Sequence, residues 1–188
     1  MSDILLFHSV YGLRPAVLTA ADRLRAAGHR VVTPDLYAGQ VAETVNEGFA
    51  LLGRIGEDLV FERARAAARD VPNDAVLAGF SMGAGIASRL LAERPETAGV
   101  LLLHGVASVP DTVRPGLPVQ LHIAEPDEYD PPEDVARWRK LMTDRGAQVE
   151  VFGYPGVGHL YTDPDLPDYD GPASELTWRR ALDFLGAL

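Results

Sequence analysis

The sequence contains no cysteine. That absence excludes disulfides, thiolate zinc sites and a thiol nucleophile, and it removes one of the marks of a small secreted domain. Long apolar runs are missing too, since nothing approaches the roughly 20 apolar residues that a bilayer-crossing helix needs. The amino terminus has Asp3 where a signal peptide would carry Lys or Arg, and its apolar run stops at His8. A cytoplasmic protein without a membrane partner is expected. Positive charge is scarce: 17 basic residues face 27 acidic ones, for a formal net charge of -10. With no basic patch in view, such a surface repels nucleic acid and anionic lipid, so neither is expected as a partner. Repeats, low-complexity tracts and linkers are also lacking.

What is present reads as one globular domain over residues 1–188. Hydrophobic residues make up 47% and charged residues 23%, and a chain of this length hides roughly 70% of the surface its unfolded form exposes. Short apolar runs, Ile4 to Phe7, Val31 to Thr33, Ala75 to Ala78, Gly99 to Leu103, Pro118 to Ala124 and Gln148 to Phe152, alternate with helical patterns. Several runs are continuous rather than alternating, as strands covered on both faces require. The helix candidates are Pro15 to Ala27, Val45 to Arg69 with a break near Gly53 to Gly56, Met82 to Arg94, Glu133 to Arg145, and Ser174 to Leu188. In the first, Val17, Ala20, Ala21, Leu24 and Ala27 form one stripe. The alternation predicts an α/β fold, a compact six-stranded, mostly or wholly parallel sheet with helices on both faces. Two acidic, proline-rich stretches, 125–134 and 163–170, each follow a strand and so lie at the carboxyl edge of the sheet, where such folds bind ligands.

Gly79-Phe80-Ser81-Met82-Gly83 fits Gly-x-Ser-x-Gly, entered by a strand and left by a helix. That is the setting of a nucleophile elbow, where a sharp turn projects the serine hydroxyl over the sheet edge and glycines on both sides avoid collisions. A serine hydroxyl needs a base, and the base needs a carboxylate to fix its tautomer. His159, in the glycine-rich Tyr154-Pro-Gly-Val-Gly-His159 loop after the last strand, is the candidate base. Asp127, after the fifth strand, is the favoured carboxylate, with Glu125 and Asp130 as rivals in the same loop. The amides of Met82 and Val10 are the expected oxyanion donors. Tyr11, Phe80 and Tyr161 are candidates for an apolar substrate pocket. His8, His29, His104 and His122 lack ligand spacing, and the acidic stretches lack the pattern of a calcium loop, so no metal is implied. His104 and His122 are read first as packed residues at the sheet end, and Arg54 first as a surface residue that reaches the cleft only if the 45–69 region caps it.

Val32-Thr-Pro-Asp-Leu-Tyr37, Gly79-Phe-Ser-Met-Gly83, Ala124-Glu-Pro-Asp127 and Tyr154-Pro-Gly-Val-Gly-His159 together resemble successive blocks of the dienelactone hydrolase family of α/β-hydrolases. The likeness runs over nearly the whole chain in the right order. It implies an α/β-hydrolase fold with sheet order 2-1-3-4-5-6, a triad of Ser81, Asp127 and His159, and an oxyanion hole at Val10 and Met82. It also implies a small-molecule ester or related acyl compound as substrate, with no metal or organic cofactor. Three positions depart from the family pattern. The nucleophile is Ser81 where the namesake enzymes have cysteine, Ser9 stands at the position of their active-site glutamate, and Asp163 stands where an arginine grips the substrate carboxylate. The expected activity is therefore a serine esterase rather than a dienelactonase. The rival is a binding protein of the same fold with a vestigial triad.

Overall fold

A computed structural model of the chain describes residues 1–106 and 108–188. Among them, strands β1 (Asp3–Phe7), β2 (Arg30–Val32), β3 (Val76–Phe80), β4 (Val100–Leu103), β5 (Pro118–Glu125) and β6 (Gln148–Pro155) are interleaved with six helices. These are α1 (Pro15–Ala26), α2 (Val45–Ile55), α3 (Glu57–Arg69), α4 (Met82–Leu91), α5 (Pro132–Asp144) and α6 (Gly171–Gly186). The strands form one sheet in the order β2-β1-β3-β4-β5-β6, every neighbouring pair parallel. This is the expected order.

The two faces of the sheet explain its continuous apolar runs. Ile4 and Leu6, Val76 and Ala78, and Leu101 and Leu103 turn toward Val17, Ala21 and Leu24 of α1 and Trp178, Ala181 and Leu185 of α6. Their neighbours Leu5, Phe7, Leu77, Leu102 and Leu121 turn the other way, onto Val60, Phe61 and Ala64 of α3, Ala84 and Ala87 of α4, and Trp138 of α5. With both faces dry, no position from Ile4 to Phe7 of β1, nor any in β3 or β4, carries a polar side chain. Each fully buried Leu or Phe is worth about 1.5–3 kcal/mol over leaving it exposed.

Several boundaries differ from the sequence reading, each for a local reason. Ala27 is the exposed C-cap of α1 and leaves the buried stripe. The break expected near Gly53 to Gly56 in the 45–69 region, by contrast, is found there, because Gly56 at φ +89° ends α2 and starts α3. β3 continues to Phe80 because Gly79 and Phe80 still pair with Leu102 and Leu103 of β4. β6 reaches Pro155 through pairing of Gly153, Tyr154 and Pro155 with the end of β5. α6 begins at Gly171, where the Asp170 carboxylate accepts the Ala173 amide at 2.8 Å.

Candidate active site

At the carboxyl edge of the central strands the chain reverses from β3 into α4 within one residue. Ser81 takes φ +50° and ψ -109°, a conformation that L-residues rarely adopt. Its amide donates to the Leu103 carbonyl at 2.8 Å, and its carbonyl accepts from Ala84 at 2.8 Å. The flanking glycines make this reversal possible. A Cβ on Gly79 would lie 2.2 Å from the Gly83 carbonyl, and one on Gly83 would lie 2.4 Å from the Phe7 carbonyl oxygen. The second contact also sets the start of α4 directly against the end of β1, so the loop after β1 stands beside the elbow.

The Ser81 hydroxyl lies 2.8 Å from Nε2 of His159, and Nδ1 of His159 lies 2.8 Å from Oδ2 and 3.0 Å from Oδ1 of Asp127. Three separate loops, after β3, β5 and β6, supply the three residues. Asp127 is held by its own turn, since Oδ1 also accepts the amides of Tyr129 at 2.9 Å and Asp130 at 3.2 Å. Burial works to raise its pKa, but the hydrogen bond and charge of His159 and the two amides prevail and hold the carboxyl below its ordinary value. The rivals stand elsewhere. Glu125 is the last residue of β5, with its carboxylate against Gly153. Asp130 points toward Gly105, and burial, then the charge of Asp127, pushes it up to about 6.

The His159 loop is fixed from below by a residue that motif reasoning passes over. Asp168 accepts the Leu160 amide at 3.0 Å and packs its side chain against Gly158. The loop after β1 is braced by the Pro34-Asp35-Leu36-Tyr37 block. His8, fully buried, accepts the Leu36 amide through Nε2 at 3.1 Å and faces the Ser9 carbonyl with Nδ1 at 2.7 Å, so it is neutral with the proton on Nδ1. The Tyr37 ring meets His8 edge-on at 4.9 Å, and its hydroxyl reaches Sδ of Met82 at 3.2 Å. This block thus ties together the two segments that carry the Val10 and Met82 amides. α2 closes the same loop from outside, because Gly48 packs on the Val10 carbonyl so closely that a Cβ there would lie 2.8 Å from its oxygen.

Ser81 and His159 open into a cleft of about 320 Å³ whose walls are Val10 and Tyr11, Glu43 to Val45 and Phe49 at the start of α2, Glu128 and Tyr129, and Leu160 with residues 166–168. Of the expected substrate contacts, Tyr11 lines this cleft. Ser9 and Phe80 instead line a neighbouring cavity of about 130 Å³ under α1 and α6, because Phe80 shares the face of Val76 and Ala78 and packs on Trp178. Tyr161 is removed from substrate altogether: it is 0% exposed and its phenol is bonded to Thr177 at 2.8 Å. Asp163 lines that second cavity and pairs with Arg14 at 3.6 Å. Arg54 is exposed in the last turn of α2 and does not line the cleft. His104, fully buried, bonds Thr162 at 2.6 Å, and His122 bonds Tyr154 and Gln120, so both are packed residues. Burial, then the charge of Arg180, brings His122 down to about 3. Glu128 and Asp168, from the two acidic stretches expected at the sheet edge, do line the cleft, whereas no motif points to Glu43, Phe49 or Tyr129. The one local signal is Thr44-x-x-Glu47, a capping box that starts α2 beside the cleft. Among the described residues no three His, Asp or Glu side chains are grouped to hold a metal.

Comparison with known proteins gives one consistent picture. The profile of the "Dienelactone hydrolase family" matches residues 2–188. A protein of Aquifex aeolicus (strain VF5) named "Putative carboxymethylenebutenolidase" is 24% identical over 198 residues, covering 96% of this chain and 86% of the relative. The fold is shared with a dienelactone hydrolase-like promiscuous phosphotriesterase from metagenomic libraries, at TM-score 0.81 and 18% identity over 100% of this chain and 87% of that one. It is also shared with esterase PE8, at TM-score 0.66 and 14% identity over 99% and 92% of the two chains.

Proposed function

The chain belongs to the dienelactone hydrolase family of α/β-hydrolases, and from that premise we propose that it is a serine hydrolase cleaving carboxylic esters through an acyl-enzyme on Ser81. The observation that carries this reading is the continuous chain from hydroxyl to imidazole to carboxylate, 2.8 Å at each junction. With Nδ1–H donated to Asp127, the lone pair of His159 Nε2 faces the Ser81 hydroxyl and accepts its proton as Oγ bonds the acyl carbon. The carbonyl oxygen becomes an oxyanion at the amides of Val10 and Met82, and one such donor is typically worth about 3 kcal/mol in the transition state. Collapse breaks the ester bond, and His159 returns the proton to the departing alcohol. Water then enters: His159 takes its proton, the hydroxyl oxygen bonds the acyl carbon, and the acid leaves as Ser81 regains its hydrogen. The Met82 amide at the start of α4 also sits where the helix dipole favours negative charge.

Stoichiometric modification of Ser81 by a neutral fluorophosphonate, followed by intact mass, tests the reading. One adduct per chain, lost in Ser81→Ala and strongly slowed in His159→Ala, is expected. A protein that binds short esters but takes up no phosphonyl group would be the non-catalytic alternative.

A further inference from the structure

We propose that the cleft at Ser81 selects esters that carry an organic ammonium group, an inference that rests on the hydrolase reading above. The first support is the charge of the walls. The cleft lining includes no Lys or Arg, and its charged side chains are acidic: Glu43 from the segment before α2, Glu128 from the loop after β5, and Asp168 from the loop before α6. These come from three directions around one space rather than from a single run of sequence. The Arg14 guanidinium, which stands beside Tyr11 outside the cleft lining, is paired with Asp163 at 3.6 Å and Asp165 at 3.8 Å, and these carboxylates offset its charge. Glu43 engages Glu47 through its backbone amide, leaving its side chain to the cleft.

The second support is aromatic. Phe49 and Tyr129, both lining the cleft, lie side by side with ring centroids 6.4 Å apart and planes tilted by 46°, and they are 51% and 44% exposed. Tyr129 also meets His159 edge-on at 4.6 Å, so a group resting on that ring is next to the reacting atoms. Exposed π faces beside carboxylates attract an alkylammonium through the ring quadrupole and bury its methyl groups at the same time. The rings sense the carboxylates: burial, then Asp168, raises the Tyr11 phenol above its usual value against the opposing charge of Arg14, and burial followed by Glu128 does the same to Tyr129.

The arrangement also distinguishes between cations. A metal ion needs several ligands converging within a few ångströms, and among the described residues these side chains do not converge in that way. Negative potential spread along an apolar, aromatic wall suits a large, weakly hydrated organic cation instead.

The test compares the rates at which Ser81 is phosphonylated by a phosphonothioate of thiocholine and by its neutral carbon isostere, at low and high salt. At low salt the cationic reagent should react at least about tenfold faster, equivalent to about 1.4 kcal/mol of transition-state preference. The ratio should fall toward one at high salt and in the Glu43→Gln/Glu128→Gln double variant. Equal rates at low salt would overturn the cation preference and leave the hydrolase reading standing. A preference untouched by salt and by the double substitution would overturn the assignment to these walls. Failure of both reagents to modify Ser81 would overturn the nucleophile assignment, and the cation preference with it.

Discussion

Ser81 Oγ and His159 Nε2 meet at 2.8 Å although 78 residues separate them in the chain. The contact makes a unit of two groups, neither of which is useful alone: an unassisted hydroxyl is a weak nucleophile, and an imidazole without it has no proton to take. Ser81→Ala and His159→Ala should each lower kcat by about 10³-fold or more, with the double variant scarcely worse than either. Steady-state kinetics on one neutral ester decides this. Losses that multiply would show that the two residues act independently and that another group is the base.

The elbow depends on backbone contact more than on side-chain packing. A Cβ at Gly83 would fall 2.4 Å from the Phe7 carbonyl oxygen and 2.7 Å from that of His8. Neither oxygen sits on a flexible tip, so Gly83→Ala must shift α4 or β1. Overpacking of this kind costs about 1–3 kcal/mol and sometimes more. The variant should lose stability by about that amount and nearly all activity. A folded protein with the unfolding midpoint and kcat of the wild type would contradict the contact.

Motifs gave access to the parts of this site that are defined locally. Gly79 to Gly83, Asp127 and His159 each lie at a strand end in a segment whose glycines or prolines mark the turn, and the six strands are recognisable by their continuous apolar runs. The cleft walls are a different matter. Glu43 and Phe49 meet Glu128 and Tyr129 only through the packing of α2 over the loop after β1, which no spacing encodes. Phe80 and Tyr161 mislead because they neighbour catalytic candidates in sequence while the pleat and the turn aim them at α6. Asp163 misleads similarly: its position suggests the cleft, but its carboxylate answers Arg14 in the adjoining cavity.

α2 links a capping motif to the cleft. Thr44 Oγ1 accepts the Glu47 amide at 3.2 Å, and Glu47 returns its carboxylate to the Glu43 amide at 3.0 Å. Loss of such a cap costs about 1 kcal/mol. Because Thr44, Val45 and Phe49 are themselves wall residues, Thr44→Ala should lower the unfolding free energy by about that amount and raise KM more than it lowers kcat. Thr44→Ser should restore both. Denaturation together with kinetics on the three proteins checks it.

Asp130 carries a pH signature. It is packed among Asp127, His159, Asp134 and the Val106 amide, and burial, then the charge of Asp127, raises its carboxyl from 3.8 to about 6. A raised carboxyl favours the protonated form in the fold. Its stabilising contribution is therefore complete below about pH 4 and is lost as pH rises through about 6. One pKa unit corresponds to about 1.4 kcal/mol, and partial exposure leaves roughly 1–2 kcal/mol of effect. Asp130→Asn should match the wild type near pH 4 and exceed it in stability by that amount at pH 8, as measured by urea unfolding. The same difference at both pH values would rule out titration of Asp130 as the cause.

Arg14 is the cation at the edge of the cleft, and Asp163 governs it. Its guanidinium lies 5.2 Å over the Tyr11 ring, and Tyr11 lines the cleft with Ser81. Asp163 and Asp165 hold it from the other side, Asp163 with a side chain only 15% exposed and Asp165 with one 54% exposed. The buried partner matters more, because solvent screens the exposed one. Asp163→Asn removes that charge and leaves Arg14 with a net positive field toward the cleft. The kcat/KM ratio of a carboxylate-bearing ester to its neutral isostere should then rise several-fold at low salt, corresponding to about 1 kcal/mol. At about 0.5 M salt the ratio should return close to that of the wild type, since the Debye length shrinks to a few ångströms. Arg54→Ala should leave the ratio alone, because Arg54 is exposed in the last turn of α2, outside the cleft lining. If Arg54→Ala changes the ratio while Asp163→Asn does not, then anionic substrates are read by α2, and Arg14 serves only to pack the loop.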